Sequence, residues 1–129
     1  MNRQTFMTVA AGVSVVAGLA ALLAPAQSSA IFGLDLDTVG VSQARLLGAA
    51  YLGYAPIVWF GRKVQDSPAQ RAIALGSFVS WAVSLVVTTA GVMSGLGETQ
   101  AWLLVVVDAV FTAAWGYFAF IDRAEVAPR

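Results

Sequence analysis

Four apolar runs, each about 20 residues long, restrict the architecture of this chain more than any other feature. They extend from about Phe6 to Ala24, Gln43 to Gly61, Ala69 to Met93 and Ala101 to Ile121. A helix rises about 1.5 Å per residue, so runs of this length match the roughly 30 Å hydrocarbon layer of a bilayer. Inside lipid each backbone polar group must be bonded within the segment, which predicts helices rather than strands. The expected fold is all-α: a four-transmembrane-helix bundle in a single integral membrane domain over residues 1–129. Composition points the same way, with 59% hydrophobic and 11% charged residues. A soluble domain is about one quarter charged, so there is too little polar surface here to cover a water-soluble globule.

The ends of the runs are punctuated. Pro25 stops the first helix, and Gly95 with Gly97 releases the third. Ser67-Pro68-Ala69-Gln70 has the form of a capping box with proline at the first helical position. Thr99 is the expected cap of the fourth helix, and Pro56 is expected to kink the second. The connection Ala26 to Ser42 carries the apolar stretch Ile31 to Leu36, which reads either as a segment at the outer interface or as a structured loop. Arg3, an apolar core and Ser28-Ser29-Ala30 also have the form of a signal sequence. With Met1 part of the chain, the first run is read as a retained span.

Basic residues set the expected orientation. Arg3, Arg62, Lys63, Arg71, Arg123 and Arg129 fall on one side of the four runs, and Arg45 alone falls on the other. The positive-inside rule then places both termini and the middle turn in the cytoplasm. Asp35, Asp37 and Glu98 belong to the outer loops. The expected location is a membrane crossed several times, with these cationic segments on its cytoplasmic face.

Helix association in lipid relies on close packing of small residues. The third run offers the row Ala72, Gly76, Ser80, Ser84 and Thr88, read as a contact face or, alternatively, as a polar stripe lining a small cavity. The other runs offer Ala10, Ser14 and Gly18, then Ala49 and Gly53, then Ala109 and Ala113. Trp102, Trp59-Phe60 and the set Tyr117, Phe118 and Phe120 suit interfacial belts, whereas Trp81 and Trp115 fall inside the runs and suit packing.

Asp108 is the single carboxylate within the runs. A charge near the middle of a span costs about 2.5–3.5 kcal/mol on insertion scales, so compensation is required. The residue lies about six positions into its run, roughly 9 Å deep. Three readings follow: an ion pair with Arg45, which enters the second run from the same side; a protonated acid bonded to Thr112 or Tyr51; or a functional carboxylate facing a cavity.

The chain has neither His nor Cys. That removes the usual ligands of haem, His-ligated pigment and zinc, so no cofactor is expected, with contact to lipid or pigment left open. Phosphate-binding glycine loops, nucleophile elbows and paired intramembrane acids are missing from the sequence, so enzyme chemistry is not expected. A net charge of zero with no basic stripe argues against nucleic acid as a partner.

Leu22-Leu23-Ala24-Pro25, Phe32-Gly33, Arg45-Leu46-Leu47-Gly48-Ala49-Ala50 and Ala101-Trp102-Leu103 occur in an order that resembles the DoxX-like small bacterial membrane proteins. The resemblance implies a four-helix fold, a multi-pass location in the bacterial inner (plasma) membrane and an auxiliary role, and supplies no catalytic residue. The expected function is that of a non-catalytic accessory or assembly subunit of a larger membrane complex of respiratory or photosynthetic type, whose partners are the bilayer and other membrane subunits. The alternative is a small carrier or binder of an apolar or proton-coupled solute using Asp108. A homo-oligomeric channel fits less well, because each run has few polar residues.

Overall fold

A computed structural model describes residues 2–65 and 67–121, apart from the Ser67 side chain. Helix α1 covers Arg3–Leu23, α2 Pro25–Ala30, α3 Thr38–Gly61 and α4 Ser67–Met93. A 3-10 turn at Thr99–Ala101 leads into α5, Trp102–Gly116, which widens into a π turn at Tyr117–Ile121. The described residues form helices and loops, with no strand among them. Three helical stretches are long and apolar enough to cross a membrane: Arg3–Leu23, Pro68–Met93 and Thr99–Ile121. Helix α3 is comparably long at 24 residues, but Gln43, Arg45, Tyr51, Tyr54 and Pro56 dilute its apolar character.

Local chemistry explains the ends. The Asn2 side chain accepts the Thr5 amide at 2.8 Å and starts α1 before Phe6. The Asp37 carboxylate accepts the Gly40 amide at 2.7 Å, so α3 begins at Thr38 rather than near Gln43. Pro25 both ends α1 and occupies the first turn of α2, where its missing amide costs nothing. Much of the Ala26–Ser42 connection is therefore helical. Gly95 and Gly97 take positive φ angles of 88° and 76°, which a side chain would resist, and they turn the chain after α4. Thr99 does not cap α5; it opens the 3-10 turn, and Glu98 precedes it without a side-chain cap bond. Helix α3 continues through Pro56. The Ser67 half of the expected capping box and the cations Arg123 and Arg129 lie outside the described residues. Gln70 turns its amide to donate to the Val64 carbonyl.

The helices associate as two pairs, α1 with α3 and α4 with α5. In the first pair the backbones nearly touch: a Cβ added at Gly48 would stand 2.7 Å from the Gly18 carbonyl oxygen and 2.8 Å from the Leu22 nitrogen. Between the pairs the space is filled by aromatic rings. Phe6 of α1 lies 4.9 Å from Trp115 and 5.2 Å from Phe118, and Tyr51 of α3 lies 6.4 Å from Trp81, which within the second pair stacks on Phe111 at 4.4 Å. Trp115 is fully buried. Trp81 is buried too, so both inner tryptophans serve packing. Phe118 is buried in this core, unlike its exposed neighbours Tyr117 and Phe120, which corrects its expected belt position.

The small-residue rows need a larger correction. Ala10, Ser14 and Gly18 are buried on α1. Ala49 and Gly53 on α3, and Ala109 and Ala113 on α5, face outward. On α4, Ala72, Gly76 and Ser80 are exposed, so Gly76 and Ser80 are not contact residues between the described helices. A step of four residues overshoots one helical turn by about 40°, so such a row winds around its helix. The face that stays inward alternates steps of three and four: Ala74 and Ser77, then Trp81, Ser84 and Thr88. The two patterns meet only at Ser84 and Thr88.

The Gly18–Gly48 approach yields a prediction. Gly48→Ala should cost about 1–3 kcal/mol, because the new methyl meets backbone that cannot rotate away. Gly53→Ala, with open space at its Cβ position, should be near neutral. Thermal unfolding in detergent checks both, and equal stability of the two variants would contradict the close approach.

Candidate functional site

Helix α5 carries Asp108 on the face that meets α4, where it is 6% exposed. Ser84 and Thr88 stand four residues apart on α4 and so project from one face, one turn apart. Both hydroxyls donate to the same carboxylate oxygen, Oδ2, from Ser84 Oγ at 3.0 Å and Thr88 Oγ1 at 2.8 Å. Two hydroxyls from the neighbouring helix thus satisfy a buried carboxyl group that would be costly to leave without partners in a low-dielectric interior.

The expected partners are placed differently. Arg45 is exposed on α3 and forms no ion pair with Asp108 among the described residues. Helix α3 pairs with α1, and the aromatic filling separates it from α5, so the reach from Arg45 to Asp108 is not realised. Thr112 lies one turn further along α5, with its hydroxyl buried and without a hydrogen-bond partner. Tyr51 instead lines a cavity between α3 and α4.

That cavity has a volume of about 220 Å³ and is lined by Leu47, Ala50, Tyr51, Tyr54, Ser80, Trp81 and Ser84. Ser80 and Ser84 therefore form a polar stripe on its wall, and Ser84 reaches Asp108 as well. Tyr54 closes the seam by donating to Ser77 Oγ at 2.6 Å. Sequence reading did not single out Ser77. Its signal was available in the alternation of three and four residues that links Ala74, Ser77 and Trp81.

Chemically, this is one carboxylate supplied with hydroxyl donors. It can accept hydrogen bonds or hold a proton. Removing the acceptor would strand two hydroxyls, although Ser and Thr in helices can turn back to carbonyls four residues earlier. Compared with protein-family models, curated proteins and solved structures, the chain matches none.

The two bonds to Oδ2 should be measurable by a double-mutant cycle. Ser84→Ala and Thr88→Val should each lower stability by about 0.6–1.7 kcal/mol, the range for hydrogen bonds between membrane helices. In an Asp108→Leu background both losses should shrink towards zero. Losses that persist there in thermal unfolding would separate the hydroxyls from the carboxylate.

Proposed function

We propose that this chain is a non-catalytic multi-pass membrane protein of four spans, acting as an accessory or assembly subunit of a larger membrane complex. Helix α3 is read as the fourth span. Its polar residues are accommodated by the tyrosine hydroxyl bonding of the α3–α4 seam and by the exposed position of Arg45 towards one helix end. The basic turn after α3 and the start of α1 come together, with Arg62 donating to Thr8 Oγ1 at 2.9 Å. At the opposite end the Glu98 amide donates to the Gly33 carbonyl at 3.2 Å. This arrangement suits an up-and-down bundle with its basic turn and both termini in the cytoplasm, in a bacterial plasma membrane. The DoxX-like likeness of the sequence agrees with that reading.

The observation that carries the subunit role is the outward face of α4. Ala72 and Gly76 are exposed there beside Val79 and Val83, and a Cβ at Gly76 would meet nothing within 4 Å. Small residues on an open face let another membrane helix approach closely. The acid that could have marked a transport path is instead bonded to hydroxyls inside the bundle. A second reading, a small binder of an apolar or proton-coupled solute, is favoured by the cavity whose wall includes Ser84, a partner of Asp108.

Two measurements test the proposal. The chain contains no Cys, so single cysteines report cleanly on topology. Val64→Cys should label from the cytoplasmic side and Leu34→Cys from the outer side; labelling of both from one side would refute the four-span arrangement. Gly76→Leu should leave the bundle folded but shift its migration in native electrophoresis of mild detergent extracts to that of the lone protein. A wild-type chain already migrating alone would remove the subunit role and leave the solute-binding reading in its place.

A further inference from the structure

Two depressions lie along the seam between α1 and α3, on the side away from the aromatic core. One is apolar, about 530 Å³, with Ala11, Gly12 and Val15 of α1 facing Leu52, Pro56 and Trp59 of α3. The other is polar, about 270 Å³, bounded by Gln4, Thr5 and Thr8 of α1 and by Arg62 and Lys63 in the turn after α3. Helical spacing makes them one feature. Gln4, Thr8, Ala11 and Val15 follow steps of four, three and four, and so share one face of α1. Leu52, Pro56 and Trp59 follow steps of four and three on α3, and Arg62 and Lys63 come in the turn just past its end. The two depressions adjoin where Arg62, which borders the polar one, lies over Trp59 of the apolar one, so the groove they make together is apolar for most of its length and cationic at one end.

The junction between the two parts is built. The Arg62 guanidinium carbon lies 3.4 Å from the centre of the Trp59 ring, and Arg62 Nη1 donates to Thr8 Oγ1 at 2.9 Å. This arrangement holds the cation at the mouth of the apolar groove, on a ring that also forms part of the groove wall. Neither Arg62 nor Lys63 is paired with a carboxylate among the described residues. Gly12 keeps the apolar part open, since a Cβ there would meet nothing within 4 Å.

We propose that this groove is a binding site for an anionic phospholipid. An acyl chain lies between α1 and α3, and the phosphate is held by Arg62 and Lys63 with Thr8 and Gln4 beside it. Charge complementarity selects this occupant. A partner helix or an apolar solute would match the apolar length but leave two cations facing it, whereas an anionic lipid matches both parts. The inference rests on the membrane-spanning reading given above.

The test uses the full chain, extracted and delipidated in mild detergent, with phosphatidylglycerol and phosphatidylcholine of identical chains as probes and native mass spectrometry as the readout. Wild type should retain phosphatidylglycerol preferentially. Lys63→Gln should cut that preference about five-fold, the effect of one surface cation on anionic lipid, and Arg62→Gln with Lys63→Gln should abolish it. Gly12→Leu should reduce retention of both lipids by filling the groove. Unfolding temperature controls for damage to the fold, and Lys63→Gln, which removes no hydrogen bond within the described chain, is the decisive variant. Equal retention of the two lipids by wild type, or a preference unchanged by Lys63→Gln, would overturn the proposal. Inorganic phosphate competing while Gly12→Leu has no effect would also overturn it, in favour of a free-phosphate site. Alkaline extraction of membranes separates the two levels. Release of the chain would refute the membrane reading, whereas a retained chain without lipid preference would refute the groove assignment alone.

Discussion

The aromatic seam between two helix pairs is the constraint on which the rest of the molecule depends. Backbones meet within α1/α3 through Gly18 and Gly48, but across the seam Phe6 against Phe111 and Trp115, and Tyr51 against Trp81, hold the pairs apart at the width of their rings. Offset and edge-on ring contacts at these distances are favourable beyond the area they bury. This spacing determines what each polar group can reach. It keeps α3 away from α5, which leaves Arg45 without Asp108 and gives the carboxylate to the hydroxyls of α4. It also leaves room between α3 and α4 for the cavity beneath Tyr51 and Tyr54.

The polar chemistry of the interior is correspondingly local. Hydroxyls do most of the bonding: Ser14 to the Ala10 carbonyl, Tyr54 to Ser77, and Ser84 and Thr88 to Asp108. None needs a second charge. In a low-dielectric setting this avoids the desolvation of a cation, which an Arg45–Asp108 pair would have required. Arg3 Nε, the Thr112 hydroxyl and the Trp115 indole are the exceptions, buried polar atoms that find no partner among the described residues.

The sequence announced the helices and their approximate ends because those depend on nearby residues: apolar run length, Pro25, and the glycines after Met93. It misplaced the start of α3 because the Asp37 cap was overlooked in favour of the hydropathy rise near Gln43. Asp108 stood out because a lone acid in an apolar run is conspicuous. Its partners did not, since they depend on which helices adjoin, a property of the whole bundle rather than of any segment. The rows of small residues misled for a geometric reason. Four-residue steps look regular on paper but rotate around the helix, so Ala72 and Gly76 face outward, Ser80 borders the cavity beside α3, and Ser84 and Thr88 reach Asp108.

The Gly18–Gly48 contact has a consequence for how such a chain is made. Its two sides belong to helices made before α4 and α5, and their fit depends on main-chain atoms rather than on side chains supplied later. A nascent α1/α3 hairpin can therefore assemble before α4 and α5 are translated. The later hairpin then docks against Phe6 on a surface already in place. Biogenesis would proceed in two instalments, following the order of the codons.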